Sequence, residues 1–124
     1  MNHNQEATAF EELARRYLSE KWKVELKVRQ VRFTNTCAKK FDLVSEDFRY
    51  IGDAKYLKNI AVPAAKWSTI AEYVWLLEKT SAQHKFLVFG KDKEVAARWL
   101  ERYGSLVRGV EFYFFDGIVL EGLN

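Results

Sequence analysis

The sequence predicts a single α/β domain over residues 1–124, with a mixed sheet flanked by helices. Three observations favour this fold class. A chain of 124 residues is long enough for one hydrophobic core and too short for a second domain. Its residues are 48% hydrophobic and 15% aromatic, which is typical of a compact globule. Helical and strand periodicities follow one another in the order helix, three strands, helix, strand, helix, strand.

Composition also narrows the classes of protein. The first residues are polar, so no signal peptide is expected, and no apolar run reaches the length of a membrane span. The single cysteine, Cys37, excludes an intramolecular disulfide and a multi-cysteine zinc site, which favours a reducing compartment. Only His3 and His84 are present for histidine-dependent chemistry. We therefore expect a cytoplasmic protein without a membrane partner.

Residues 5–21 are predicted to form the first helix. Its apolar side chains recur with the spacing i, i+3, i+4, i+7 and i+8 of a single stripe, which consists of Phe10, Leu13, Ala14, Tyr17 and Leu18. Glu11 lies on the shoulder of this stripe and Glu12 lies opposite it, so Glu11 is the acid expected along the packing seam. An alternative is that Glu11 completes a Thr-x-x-Glu capping box with Thr8.

The next strand is predicted within residues 22–34. Alternation directs one set of side chains to the core and then slips by one position, the set being Trp22, Val24, Leu26 and Val28, followed by Val31 and Phe33. This slip indicates a bulge near Arg29 and Gln30. Residues 34–39 are expected to be a polar loop in which Cys37 is an ordinary free thiol.

Two short apolar runs, residues 41–44 and 48–51, predict a pair of strands. The polar residues 45–47 separate them, as in a β-hairpin, and Tyr56 and Leu57 extend the second strand. Both runs are brief and rich in aromatic and β-branched residues, which favours strands over helices.

Two more helices are predicted in the second half of the chain. A loop over residues 58–63 leads to a helix over residues 64–79, with Pro63 at or just before its first turn. The broad apolar face of this helix comprises Trp67, Ile70, Ala71, Val74, Trp75 and Leu77. Asp92 is expected to cap the third helix, which ends at Gly104.

The remaining strands are predicted on either side of the third helix. Residues 85–89 form a continuous apolar run, which is typical of a strand buried on both faces. Residues 110–115 are expected to be the last strong strand and residues 118–120 a short edge piece. The order of elements therefore predicts a meander followed by crossover connections.

The chemistry of the chain is expected to centre on residues 41–55. Asp42 lies inside the first hairpin strand, and Asp53 and Lys55 close the second. Because side chains alternate along a strand, Asp53 and Lys55 point the same way, and strand pairing can bring Asp42 onto that face. Two carboxylates and a lysine at one spot outline a metal site with a group that positions a nucleophile. The alternative is a structural ion pair between Asp42 and Lys55 in a protein with another function.

Positive charge is concentrated around this segment. Residues 15–66 contain 13 Lys and Arg residues against 6 Asp and Glu residues, although the net charge of the whole chain is only +3. A basic field beside a carboxylate cluster suits a polyanion such as nucleic acid, and a solvated lysine-rich surface is the equally weighted alternative. The candidate nucleic-acid-binding residues are Lys39, Lys40, Lys58 and Lys66.

The order of elements, together with Asp42 and the Asp-Ala-Lys triplet of residues 53–55, resembles the PD-(D/E)XK nuclease superfamily. Residues 10–18 and 40–44 are also similar to small bacterial endonuclease-like proteins and to archaeal Holliday-junction-resolvase and Mrr-type nucleases. The detailed match covers residues 9–57, and the remainder agrees only in element order. This resemblance implies a restriction-endonuclease-like αβββαβ core with an additional C-terminal helix and strand.

The same resemblance implies hydrolysis of phosphodiester bonds in DNA with Mg²⁺ or Mn²⁺ as cofactor. Asp42 and Asp53 would be metal ligands, with the backbone carbonyl of Ala54 as a further ligand. Glu11 would support the metal directly or through water. Lys55 would orient and help to activate the attacking water.

Three further positions bear on this resemblance. Lys66 would be an auxiliary polar residue of the second helix. Residues 39–41, Lys-Lys-Phe, replace the proline or the Gly-Glu-Ile that often precedes the first aspartate, and Gly52 replaces a bulkier β-branched residue before the second. Neither departure removes a ligand, so catalysis is still expected.

Two other functions are compatible with the same fold. One is a catalytically inactive nucleic-acid-binding or assembly module, which the small size of the chain and the aromatic residues 112–115 favour. The other is an RNA-processing role, but the splicing endonucleases that share this fold rely on a His and a Tyr rather than on paired acids. For duplex cleavage a homodimer is expected, through the third helix or the last strands, because one site cuts one strand.

Overall fold

Three helices and six strands make up the part of the chain that the computed structural model describes, which is residues 2–57 and 64–124 without the side chains of residues 3, 64 and 65. In chain order these elements are α1 (His3–Trp22), β1 (Leu26–Thr34), β2 (Cys37–Ser45), β3 (Tyr50–Leu57), α2 (Ala64–Lys79), β4 (His84–Lys91), α3 (Lys93–Tyr103), β5 (Glu111–Phe115) and β6 (Leu120–Gly122). The strands form one sheet in the order β1-β2-β3-β4-β5-β6. Its central strands β3, β4 and β5 are parallel, and the other neighbouring pairs are antiparallel. The predicted mixed α/β sheet is confirmed.

The sheet separates two hydrophobic cores. On one face α1 packs through Phe10, Ala14 and Leu18. On the other face α2 and α3 contribute side chains that include Ile70 and Trp99. Both cores draw side chains from β4 in alternation, namely Phe86, Leu87, Val88 and Phe89. The prediction that this strand is buried on both faces is therefore confirmed.

The capping of α1 differs from the capping-box alternative for Glu11. Asn2 is the N-cap, and its side-chain oxygen accepts a hydrogen bond from the backbone N–H of Gln5 (2.9 Å). The side chain of Gln5 accepts in return from the N–H of Asn2 (3.0 Å). The hydroxyl of Thr8 donates to the carbonyl of Asn4 within the helix (3.0 Å). Glu11 is thus free of a capping role, and that alternative is wrong.

The first hairpin is tighter than predicted. β2 begins at Cys37, which pairs with Thr34 across a turn of residues 35–36, so the predicted polar loop over residues 34–39 is wrong. This turn contains no Asn-Gly or Asp-Gly pair, and the usual sequence signal for a two-residue hairpin is therefore missing. Trp22, predicted to begin the strand, instead ends α1.

A bulge interrupts the pairing of β1 with β2. The register shifts between Lys27 and Arg29. Asp42 and Leu43 of β2 both stand opposite Val28 at this point. The bulge therefore lies one step earlier along β1 than predicted, and its extra residue falls in the strand that carries Asp42.

Four apolar side chains predicted to be buried are exposed: Leu13, Val28, Ala71 and Trp75. Leu13 lies at the edge of the α1 stripe and Val28 lies opposite the bulge. The buried face of α2 follows the i, i+4, i+7 row of Ile70, Val74 and Leu77. Ala71 and Trp75 fall outside that row, and Trp75 is 57% exposed.

The predicted starts and ends of the later helices agree with the structure. α2 has the predicted bounds, and Asp92 caps α3 by accepting a hydrogen bond from the N–H of Glu94 (3.0 Å). Gly104 ends α3 with a helical φ of −58°, because a short 3₁₀ segment, Gly104–Leu106, continues from it. The predicted loop over residues 58–63, Pro63 included, lies outside the described residues. No helix among those described is both long enough and apolar enough to cross a membrane.

The edge strand β6 begins two residues later than predicted. The carboxylate of Asp116 accepts hydrogen bonds from the N–H groups of Ile118 (2.8 Å) and Val119 (2.7 Å). These bonds hold both residues in the turn after β5, where Ile118 is 80% exposed. The strand itself is Leu120–Gly122.

We expect Gly52→Ala to destabilise the protein. A Cβ on Gly52 would collide with the ring of Phe86, which explains why a glycine precedes Asp53 here. Overpacking of this kind costs about 1–3 kcal/mol of unfolding free energy, measurable as a lower urea midpoint. Gly122→Ala is the matched control, because no atom lies within 4 Å of its added Cβ. An equal loss of stability in both variants would contradict the packing explanation.

Candidate functional site

The candidate site lies where β2 and β3 separate. The last residues of β2 and β3 that pair through the backbone are Leu43 and Gly52. Asp42 and Asp53 would form the next pair, but the ladder ends before them. Oδ1 of Asp53 instead accepts a hydrogen bond from the backbone N–H of Asp42 (2.9 Å). Oδ2 of Asp42 accepts one from the N–H of Ala54 (3.3 Å). Two carboxylates, 4% and 3% exposed, thus take the place of a rung of the ladder.

Lys55 completes this group. Its Nζ lies 2.7 Å from Oδ2 of Asp53, and its side chain is 14% exposed. The ion pair of the structure is therefore between Lys55 and Asp53, whereas the alternative from sequence paired Lys55 with Asp42. The structure brings Asp42, Asp53 and Lys55 together, as the alternation of side chains along the hairpin predicted.

Tyr73 of α2 covers the lysine. Nζ of Lys55 lies 3.3 Å from the centroid of the Tyr73 ring, which is a cation–π contact. The Tyr73 hydroxyl donates a hydrogen bond to the carbonyl of Lys40 (3.2 Å). Burial, followed by the negative charges of Asp53 and Asp42, raises the pKa of Tyr73 well above its usual range. Tyr73 is thus a neutral donor that fixes the position of the ammonium group.

Burial is the main cause of the raised pKa values of two acids at the site, Asp53 and Glu11. It raises the pKa of Asp53 to about 7, with Lys55 acting against the rise and Asp42 adding to it. Burial also raises the pKa of Glu11, and the negative charge of Asp42 adds to that rise. The positive charges of Lys40, Arg15 and Lys55 lower it in part, in that order. The charge of Asp42 therefore reaches Glu11 on α1.

Three of the other predicted site residues share one small cavity. Glu11, Ala54 and Lys66 line a cavity of about 230 Å³ that Lys55 also borders. Lys66 is exposed there.

Two predicted nucleic-acid-binding residues lie on β2, beside α2. Nζ of Lys39 forms an ion pair with Glu72 (3.0 Å) and lies 5.1 Å from the centroid of the Tyr73 ring. Lys40 is exposed. Lys58 lies outside the described residues, so its place relative to the site is not described.

Sequence reasoning missed two residues of this site. One is Tyr73, described above. The other is Arg15, whose Nη1 donates a hydrogen bond to the backbone carbonyl of Asp42 (3.1 Å) and so ties α1 to β2. Arg15 follows Glu11 by four positions on the same helical face, and that spacing was the available signal.

The donor chemistry of the site fits a hard divalent cation. Mg²⁺ and Mn²⁺ prefer carboxylate oxygens, and Asp42 and Asp53 place two buried carboxyl groups beside the ammonium group of Lys55. Both oxygens of Asp53 accept hydrogen bonds or ion pairs from the protein. No group of three or more His, Cys, Asp or Glu side chains within residues 2–57 and 64–124 is arranged to hold a metal ion. The two aspartates thus offer donor atoms of the kind that a hard cation binds, and Glu11 does not join them in a three-ligand cluster.

Comparisons with known proteins gave no match. No protein-family model matches the chain, and no match to it is found among curated proteins or solved structures. The arrangement of side chains is therefore the basis for inferring a function.

We expect Asp53 to make the unfolding free energy fall as pH rises from about 4 to about 7. Its pKa is 3.8 ordinarily and about 7 in the folded protein, so the folded state binds more protons in this interval. The effect is at most about 4 kcal/mol, and Asp53→Asn should remove it. Urea unfolding of both proteins across this pH range measures the difference.

Asp116→Asn is the control for this pH dependence. Backbone hydrogen bonds from Val119 and Ile118 lower the pKa of Asp116, so its contribution is present at high pH and is lost as pH falls. That loss lies below the ordinary pKa of 3.8, outside the interval in which Asp53 acts, so Asp116→Asn should leave the slope between about pH 4 and pH 7 as in the wild type. An Asp53→Asn profile parallel to that of the wild type would contradict the raised pKa.

Proposed function

We propose that the protein is a metal-dependent endonuclease that hydrolyses phosphodiester bonds in DNA. The observation that carries this proposal is the convergence of Asp42, Asp53 and Lys55 at the point where β2 and β3 separate. Hydrolysis of a phosphodiester needs a positioned water, neutralisation of phosphate charge and help for the leaving oxygen. Two acids, a lysine and a hard cation supply groups of the required kind. The resemblance to PD-(D/E)XK nucleases supports the same reaction.

The aspartates and the lysine have separate roles in this proposal. Asp42, Asp53 and the carbonyl of Ala54 would hold Mg²⁺ or Mn²⁺, which when bound lowers the pKa of a water and offsets phosphate charge. Lys55 is held between Asp53 and the Tyr73 ring, so its ammonium group is fixed in direction. From there it can donate a hydrogen bond to the attacking water and stabilise negative charge as it develops.

Residues around the carboxylates would bind and support the substrate. Glu11 lines the small cavity beside Lys55 and would support the metal through water. The exposed lysines Lys40 and Lys66 would contact DNA phosphates, as would Lys39 on release from Glu72. Lys58 belongs to the same proposed set by its place in the sequence. A cytoplasmic location is part of the proposal, since Cys37 is a free thiol.

The second candidate function is a nucleic-acid-binding or assembly module without catalysis. One observation favours it: both oxygens of Asp53 already have protein partners, and a third carboxylate is not in place among the described residues. In such a protein the ion pair between Asp53 and Lys55 would hold the open hairpin. Binding of DNA without cleavage separates this function from the endonuclease.

Cleavage of supercoiled, linear and branched DNA tests the proposal directly. We expect cleavage with Mg²⁺ and none with EDTA, and Asp53→Ala or Asp42→Asn should abolish it. Lys55→Met should lower the rate by about 100-fold or more, as for the loss of one charge-stabilising donor. Glu11→Gln should lower it about 10–100-fold, as for a residue that supports a metal ligand.

Glu12→Gln is the matched control for Glu11→Gln. Glu12 is the adjacent acid of α1 and is exposed. Its substitution should leave the rate unchanged, and circular dichroism should show that each variant is folded. Undiminished cleavage by folded Asp42→Asn and Asp53→Ala proteins would refute the assignment of the site.

A homodimer is the proposed state for cutting both strands of a duplex. A single small site cuts one strand, so two copies related by a two-fold axis would supply two cuts. Sedimentation velocity with and without duplex DNA should show a species of twice the monomer mass. A monomer under both conditions would contradict this prediction, and the result of the cleavage assay would stand independently of it.

A further inference from the structure

A large groove lies on the same side of the sheet as Tyr73. It has a volume of about 770 Å³ and runs between β1 and the C-terminal half of α2. We call it the Trp75 groove, and its lining includes Arg32, Phe33, Phe48, Trp75 and Lys79. Two of these aromatic side chains are open to solvent, Trp75 with 57% exposure and Phe48 with 42%. Large exposed aromatic side chains that share one groove indicate a binding surface rather than packing.

The charge of the Trp75 groove is positive. Arg32 and Lys79 line it, and none of the described residues that line it is acidic. Each exposed aromatic ring has a cation beside it: Nζ of Lys79 lies 5.6 Å from the Trp75 ring centroid, and the Arg29 guanidinium lies 6.0 Å from that of Phe48. The occupant that complements this lining is anionic and presents flat, apolar faces.

Two acids close in sequence to these rings, Glu72 and Asp47, have partners. The carboxylate of Glu72 binds Lys39 (3.0 Å). Asp47 accepts a hydrogen bond from the hydroxyl of Ser45 (2.8 Å) and pairs with Arg49 (3.6 Å). These contacts offset the negative charge of Glu72 and Asp47, while Arg32 and Lys79 are the charged side chains that line the groove itself.

The Trp75 groove is continuous with the candidate site through three elements. α2 carries Tyr73 over Lys55 and then carries Trp75 into the groove. β2 carries Asp42 in the site and Cys37 in the groove lining. Ile51 also lines the groove and precedes Asp53 by two positions on β3, so their side chains share one face of the sheet and lie about 7 Å apart along the strand.

We infer that the Trp75 groove binds unpaired nucleotides of single-stranded DNA next to the candidate site. Bases stack on exposed aromatic rings, and phosphates pair with lysine and arginine, which is the chemistry of this lining. A duplex keeps its base faces covered, so Trp75 and Phe48 can stack only on nucleotides that are unpaired. The choice of DNA as the polyanion rests on the proposed function, but binding in the groove requires no cleavage.

Fluorescence anisotropy with labelled oligothymidine of about 15 nucleotides, in EDTA, tests this inference without cleavage. The wild-type chain should bind the single strand more tightly than the corresponding duplex. Trp75→Ala should weaken binding about tenfold or more, as for loss of one stacking residue. Lys79→Gln should weaken binding less than Trp75→Ala does. It should also reduce the slope of log affinity against log salt concentration by the amount that one phosphate contact contributes.

Two matched controls lie outside the groove. Ile118→Ala removes an apolar side chain that is even more exposed than Trp75, and Lys21→Gln removes an exposed charge of α1, on the opposite face of the sheet. Both should bind oligothymidine as the wild type does. Because Trp75 is exposed, its variant should keep the wild-type thermal midpoint, which circular dichroism checks.

Three results would overturn the inference. They are unchanged affinity in folded Trp75→Ala, an equal loss in Ile118→Ala, and tighter binding of duplex DNA or of single-stranded RNA than of oligothymidine. Failure here is distinguishable from failure of the proposed function. A chain that cleaves DNA but binds oligothymidine independently of Trp75 lacks the groove function alone, and one that binds through Trp75 without cleaving lacks the nuclease function alone.

Discussion

Two hydrogen bonds that replace one rung of the β2–β3 ladder hold the candidate site together. At this point Asp53 accepts from the N–H of Asp42, and Asp42 accepts from the N–H of Ala54. A buried N–H without a partner costs about 1–3 kcal/mol, and a buried carboxylate without donors costs more. Each aspartate therefore stabilises backbone that the other strand has left unpaired. The hydrogen bonds that bring the two acids together are thus the same ones that satisfy the backbone where the hairpin opens.

The bulge in β2 explains how this short strand serves both cores. Strict alternation would place Phe41 and Leu43 on the same face of the sheet. In the structure Phe41 packs with Val44 on the side of α2, and Leu43 packs on the side of α1. The extra residue at Asp42 and Leu43 shifts the alternation by one position. Asp42 thus sits where the strand changes phase, next to the face that α2 covers.

Local sequence patterns predicted which helices and strands form. They did not predict the contacts between those helices and strands. The cap at Asp92 and the half-buried shoulder position of Glu11 follow from capping chemistry and helical angle alone. The place of Tyr73 over Lys55 depends on which face of α2 meets the sheet. The orientation of α2 about its axis that places Tyr73 there also exposes Trp75, which the apolar pattern of the helix predicted to be buried. One long-range packing choice therefore accounts for both the missed site residue and the misplaced tryptophan.

The buried charges at the site lower the stability of the fold at neutral pH. Lys55 and Asp53 alone would form a buried ion pair, and apolar residues of similar volume often stabilise a fold as well or better. Asp42 adds a second buried negative charge, which helps to raise the pKa of Asp53 and so lowers stability at neutral pH. Local departures from the most stable choice are expected at functional sites. In the proposed nuclease, Asp42 and Asp53 would hold a divalent cation, which would offset this cost by supplying positive charge that Lys55 alone does not.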